Sequence, residues 1–217
     1  MKQRGFMVAI EGIDGSGKSG VAAYLADHLR DSGYDVLRTQ EPGGTEEGAM
    51  LRKLLLARDA FDWVPTAELL LMNASRRQHV ERVIRPALDA GRVVVCDRFV
   101  GSTIAYQGAG RGLPDEMIFG IHRLAMDDFW PDLTLVLDLD PAVGLRRSQR
   151  RLEQTQVDEG RFETLDISFH ERVRQSFLAQ AASLPVPYMM IDADQSPELV
   201  QQTALEHLLV ALTDTVR

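Results

Sequence analysis

The stretch "FMVAIEGIDGSGKSGVAAYL" constrains the fold of this chain more than any other. Its apolar opening, Phe6–Ile10, reads as a strand buried on both faces. "GIDGSGKS" follows and matches G-x-x-x-x-G-K-[ST] at Gly12, Gly17, Lys18 and Ser19. A helical pattern comes next, with Val21, Leu25, His28 and Leu29 on one face and Gly33 as its stop. The loop residues Ile13, Asp14, Gly15, Ser16 and Gly17 let successive backbone N–H groups converge on phosphate oxygens at a helix N-terminus. Lys18 then reaches the β- and γ-phosphates of a nucleotide, and the Ser19 hydroxyl can ligate Mg²⁺. The loop says nucleotide without saying which reaction, since a hydrolysing switch or motor uses the same device.

A strand–loop–helix unit buries both its faces only inside a larger α/β sheet. The chain supplies the rest. Strand candidates recur at Tyr34–Thr39, Arg92–Asp97, Leu133–Asp140 and Pro187–Asp192, with helical patterns at 66–90, 115–127, 141–151, 165–183 and 197–214. Asp140-Pro141 reads as an N-cap followed by proline at the first helical position. The expectation is a single three-layer α/β domain over 1–217, with a five-stranded parallel sheet flanked by helices. Ligands of such sheets sit beyond the carboxyl ends of the strands. Gly12–Ser19, Glu41–Thr45, Asp97–Arg98 and Asp192–Gln195 all follow strand candidates, so one edge should gather them.

Charge and cysteine content narrow the partners. A net charge of −8 gives no basic footprint for a nucleic-acid polymer. The single cysteine, Cys96, forbids an internal disulfide and points to a reducing compartment; its place in "RVVVC" suits core packing. No apolar run approaches the roughly 20 residues of a membrane span. The apolar stretch near the N-terminus is too short for a signal sequence. A soluble, cytoplasmic protein without a membrane partner is expected.

Lys18 is the only cation in the loop, so a phosphoryl-transfer site needs positive charge from elsewhere. "CDRF" places Asp97 to hold a metal's hydration shell and Arg98 to hold a second phosphate, although a strand-end ion pair fits the same residues. "TQEPGGTEEGAMLRKLLL" makes a tight turn into a helix carrying Arg52, which could equally be a solvated charge. "GLRRSQRRLEQTQVDEGRFE" supplies Arg146, Arg147, Arg150, Arg151 and Arg161. Arg147 and Arg151 stack at i,i+4, an arrangement that costs a little unless an anion pairs with them. A solvated basic face is the plain alternative. The five histidines show no metal-ligand spacing, and no catalytic base stands out.

"EGIDGSGKS", "EPGGT" at Glu41–Thr45, "CDRF" at Asp97–Arg98, "STIAYQGAGRG" at Ser102–Gly112 and "PDLTLVLDLDPAVGLRR" together resemble the thymidylate kinase family, in the family's order and over nearly the whole chain. The resemblance implies a P-loop nucleoside monophosphate kinase fold and transfer of the γ-phosphoryl group of ATP, with Mg²⁺, to dTMP for dTTP synthesis. It implies a mobile lid at about 146–164, because the loop lacks the arginine some members carry there. Arg147, Arg151 and Arg161 match the lid positions, with Lys18 and Arg98 beside them in catalysis. The lid stretch 151–161 is expected to be poorly ordered without nucleotide.

For the acceptor, the resemblance places Arg52 and Arg98 on the phosphate, Asp14 near the 3′-hydroxyl and Tyr106 near the sugar. Arg76 is expected at the thymine carbonyl edge, with Thr103 and Gln107 as further polar contacts. Glu41, Pro42 and Ser102 complete the expected site. Met72 stands where most of the family has a stacking phenylalanine, and Gln40 where it usually has arginine. Met72 is also compatible with an ordinary core position. A kinase for another deoxynucleoside monophosphate, and a P-loop ATPase switch, stay open at this point. Asp192–Ser196 resembles an adenine-side loop and fits a strand-to-helix turn equally well. A homodimer is the family habit. An acceptor phosphate is mostly a dianion at neutral pH, so the missing base fits.

Overall fold

The computed structural model describes residues 4–57, 61–155 and 159–215. Its centre is a five-stranded, wholly parallel sheet of β1 (Phe6–Gly12), β2 (Val36–Gln40), β3 (Val93–Asp97), β4 (Leu133–Asp138) and β5 (Tyr188–Asp192). The strand order is β2-β3-β1-β4-β5. The side-chain period of two sorts the strands into two cores. Met7, Ala9, Val94 and Cys96 join Leu69, Ile84 and Phe99 in one cluster. Val8, Ile10 and Val95 join Val21, Leu25 and Leu208 in the other. The register sets Ile10 and Gln40 opposite Asp97 on either side of β3. The loops after β1, β2 and β3 therefore leave from one edge, as the strand candidates led us to expect.

Around the sheet run α1 (Lys18–Asp31), α2 (Glu46–Leu56), α3 (Pro65–His79), α4 (Arg85–Asp89), α5 (Val100–Thr103), α6 (Asp115–Met126), α7 (Pro141–Thr155), α8 (Ile167–Gln180) and α9 (Pro197–Thr215). Thr45 caps α2 by accepting from Gly48 N at 3.0 Å. Asp140 caps α7 through Ala142 N at 2.9 Å, the role its pairing with Pro141 suggests.

Two expectations need revision, and one segment was not foreseen. The helix expected over 66–90 is interrupted by a π-helical turn at Val80–Ile84 before α4. Pro86 explains it, since its ring crowds the carbonyl one turn back and it has no N–H to give. The glycine-rich run after Phe99, for which no element was expected, is helical: α5 passes into a π-helical segment, Ile104–Gly110. Gly110 is required there, because a Cβ would enter the Phe169 ring of α8. Finally, α7 extends beyond Arg151 to Thr155, so that part of the expected lid is helical. The remainder of that expectation falls partly on residues 156–158, which lie outside the described residues.

Candidate active site

The loop between β1 and α1 turns on Gly12, Gly15 and Gly17, all at positive φ. Gly15 has a second reason to lack a side chain: its Cβ would strike the backbone of Gly144 in α7. This contact seats the first turn of α7 on the phosphate loop and aims the arginine-rich helix across it. Lys18 is buried and donates to Ile13 O at 2.6 Å. Burial, then the nearby Arg98 guanidinium, pull its ammonium down to about 8, against the opposing pull of Asp14 and Asp97. Ser19 Oγ donates to Asp97 Oδ2 at 2.5 Å, joining the loop to the end of β3.

Arg98 adopts φ +69, a left-handed backbone that costs a non-glycine residue roughly 1 kcal/mol or more. Glu11, at the end of β1, offsets that cost. Its buried carboxylate accepts from Phe99 N at 2.8 Å, Ser102 N at 3.0 Å and Ser102 Oγ at 2.6 Å. Burial still pushes the Glu11 carboxyl above its ordinary value. The turn so fixed sends the Arg98 guanidinium back over the loop. There it donates to Gly12 O and Ser102 Oγ, each at 3.0 Å, and to Asp14 Oδ1 at 2.5 Å. Tyr106 donates its hydroxyl to Asp14 Oδ2 at 2.7 Å. Burial alone would raise the Asp14 carboxyl, but Arg98, Lys18 and the Tyr106 hydroxyl hold it well below the usual carboxylate range.

Beside this cluster lies a cavity of about 290 Å³. Asp14, Arg98, Ser102 and Tyr106 line one part of it; Glu41, Pro42 and Arg52 line another. Met72, Arg76, Thr103 and Gln107 line the rest. Thus the residues expected around the acceptor meet in one space. Arg76 is almost fully buried. Its Nε donates to Glu41 Oε2 at 2.6 Å, and its Nη2 to Thr103 Oγ1 at 2.8 Å and Phe99 O at 3.1 Å. Its Nη1 is buried without a hydrogen-bond partner. His79, fully buried, shares Glu41 through Oε1 at 3.0 Å and meets Thr39 Oγ1 at 2.7 Å. Glu41 would rise on burial, but Arg76 and the His79 hydrogen bond hold its carboxyl below its ordinary value.

The lid arginines separate. Arg151 lines the cavity, hydrogen-bonds Ser148 Oγ at 3.0 Å and lies 3.7 Å from Glu163. Arg147 turns away from the cavity to Asp194 and Ala193 O on the loop after β5. Arg161 is buried against α2 and α3, donating to Leu55 O at 3.1 Å and pairing with Glu68 at 2.7 Å. Arg52 grips Glu159 with both Nε (2.8 Å) and Nη2 (2.6 Å). Gln40 sits at the end of β2, directly before the cis Glu41–Pro42 bond.

Reading the sequence alone missed four carboxylates that organise this site: Glu11, Glu68, Glu159 and Glu163. Glu11 had a visible signal, a lone charge closing an apolar strand. The partners of the other three lie on different elements, and nothing local marks them.

Comparison with known proteins follows the same lines. The thymidylate kinase family model matches residues 10–204. A thymidylate kinase of Cereibacter sphaeroides is 58% identical over 204 residues, covering 94% of each chain. One from Nitratidesulfovibrio vulgaris is 45% identical and covers 97% of this chain and 99% of its own. The crystal structure of thymidylate kinase from Ehrlichia chaffeensis superposes with a TM-score of 0.77 at 31% identity, over 94% of this chain and 99% of that one.

Proposed function

The chain belongs to the thymidylate kinase family of nucleoside monophosphate kinases, and on that premise we propose how its residues transfer the γ-phosphoryl group of ATP to dTMP, giving dTDP and ADP. One observation carries the assignment of roles. A single cavity joins the phosphate loop's Asp14 and Arg98 to Arg76 and Gln107, spanning the length from an acceptor phosphate to a base.

ATP's phosphates lie on the loop from Gly12 to Ser19, where they replace Ile13 O as the acceptor for Lys18. Ser19 and Asp97 offer a hydroxyl and a carboxylate at the loop's mouth. Such hard oxygen donors, few in number, fit Mg²⁺, which takes most of its other ligands from phosphates and water. No cluster of three or more metal-ligating His, Cys, Asp or Glu occurs among the described residues, in keeping with that mode. When bound, the ion neutralises charge on the β- and γ-phosphate oxygens.

Arg98 and Arg52 hold the acceptor phosphate. Asp14, kept ionised by Arg98, accepts from the sugar's 3′-hydroxyl. Tyr106 closes the sugar side and leaves little room for a 2′-hydroxyl. Arg76 Nη1, the donor without a partner, meets a carbonyl of the base. Met72 lies against the ring, a thioether contact worth about 0.3–1.5 kcal/mol. The acceptor needs no base, so catalysis rests on position and charge. Arg151 is the lid arginine at the cavity and the one we assign to the transferring group; Arg147 faces the loop after β5 and is assigned to the nucleotide's other end. Arg161 anchors the lid's far end. Neither another deoxynucleoside monophosphate nor a free-running ATPase is favoured by the relatives.

Exposed Met50, Leu54, Leu70 and Leu124, on the neighbouring helices α2, α3 and α6, support a homodimer. Among the described residues no helix is long and apolar enough to cross a membrane. The buried Cys96, a free thiol, supports a cytoplasmic enzyme.

The test is ADP formation from Mg²⁺-ATP with dTMP, dUMP, dGMP, dCMP, AMP or no acceptor. Selective turnover of dTMP is expected; equal turnover without an acceptor would sink the reading. A second prediction concerns Arg52. Glu159 offers it two coplanar oxygens, much as a phosphate would, and so competes for it. Glu159→Gln is expected to lower the KM for dTMP by about fivefold, the equivalent of roughly 1 kcal/mol, with kcat little changed. An unchanged or higher KM would show that the two do not compete.

A further inference from the structure

We propose that Glu68 is a positioning residue for base selection: it fixes the amide of Gln107 so that only a base bearing a proton at its central ring nitrogen is accepted. The proposal rests on the reading of the cavity as the dTMP site. Glu68 is on α3, wholly buried, and accepts Gln107 Nε2 at 2.9 Å. Arg111 Nη2 at 3.1 Å and Arg161 Nη1 at 2.7 Å pair with its other oxygen.

The two ends of a glutamine amide have nearly the same shape, so packing does not choose between them. A carboxylate held by two arginines does choose, because it only accepts. The amide nitrogen must face Glu68, and Oε1 must face the other way. Gln107 lines the cavity, and no described residue donates to its Oε1. Gln107 and Arg76 both line the cavity, so on this proposal the base meets one fixed acceptor, Gln107 Oε1, and one donor, Arg76 Nη1, which has no partner of its own.

Thymine and uracil carry the complement, an N3–H donor beside the O4 acceptor. Cytosine carries the reverse, an N3 acceptor beside an amino donor. With the amide fixed, cytosine sets acceptor against acceptor and donor against donor. Unpaired or opposed buried polar groups of this sort separate substrates by large factors, whereas a shape difference of one methyl separates them weakly. Were the amide free to turn over, Gln107 could offer its nitrogen to the cytosine ring, and half of the rejection would vanish.

Glu68→Gln removes the compulsion, since a glutamine can face Gln107 with either end. The ratio of kcat/KM for dTMP to that for dCMP is expected to fall by about tenfold or more, chiefly through the two KM values. Gln107→Leu should lower the ratio as far, and the double variant no further. Arg111→Met breaks one ion pair to Glu68 but keeps the Gln107 contact, so its ratio should match the wild type. A Glu68→Gln enzyme that loses thermal stability while keeping the wild-type ratio would overturn the proposal and leave Glu68 a purely structural anchor.

Should that variant not fold, wild-type enzyme decides. N3-methyl-dTMP lacks the proton and is expected to be at least about a hundredfold poorer than dTMP. Turnover within a few-fold of dTMP would overturn the proposal. Wild-type enzyme inactive on dTMP would instead overturn the reading of the site itself.

Discussion

Lys18→Ala is expected to lower kcat/KM for ATP by about a thousandfold or more, the scale seen when one cation of a phosphoryl-transfer site is removed. The side chain is buried and, among the described residues, hydrogen-bonds only the loop's own Ile13 O and Ser16 Oγ, while its charge also helps to hold the Asp14 carboxyl down. Its ammonium is held down near 8 by burial and by Arg98, which means that the empty site carries the charge at a cost. The sign for stability follows. The folded chain gives up this proton more readily than the unfolded chain, whose lysine has the ordinary value of 10.5. The destabilisation is therefore fully present below pH 8 and fades between pH 8 and 10.5. The alanine variant should melt no lower than wild type at pH 7, while losing its activity. ATP's phosphates favour the charged form, so the wild-type KM for ATP should climb about fivefold from pH 8 to 9 and approach tenfold per pH unit beyond that. A flat KM from pH 7 to 9, or an alanine variant retaining a tenth of the activity, would refute this role.

The phosphate loop was legible because every requirement on it is local: glycines where φ is positive, and a strand before and a helix after. The sheet was legible for a related reason, since strands buried on both faces appear as continuous apolar runs. What could not be read was pairing at long range. Arg52 and Glu159 are 107 positions apart, and Arg98 and Asp14 are 84. Arg161 looks in sequence like one more lid arginine, yet it is drawn under α3 by Glu68. The π-helical segment Ile104–Gly110 was not foreseen, because its glycines break any helical pattern. The reason for Gly110 is the approach of α8, which no local pattern encodes.

Such pairing sets the second large effect. Arg76→Met would leave Glu41, 3% exposed, with only His79 to answer its charge. Breaking one side of a buried ion pair costs about 3–5 kcal/mol, because the remaining charge stays out of water. In a chain of this size each kcal/mol moves Tm by roughly 2–4 °C, so a fall of about 10 °C is expected at pH 7. The penalty should depend on pH. Arg76 now holds the Glu41 carboxyl below its ordinary value of 4.5, so this pair's stability is present above that pH and is lost as pH falls through the lowered value. Without Arg76, burial dominates and pushes the carboxyl up. A protonated Glu41 needs no cation, so the gap in Tm between wild type and variant should narrow from pH 7 to pH 5. Arg76→Met combined with Glu41→Leu removes both charges and should recover most of the lost Tm. It should not recover dTMP turnover, since the donor at Nη1 is gone with the guanidinium. Recovery of turnover along with stability would mean that Arg76 only builds the pocket and does not read the base.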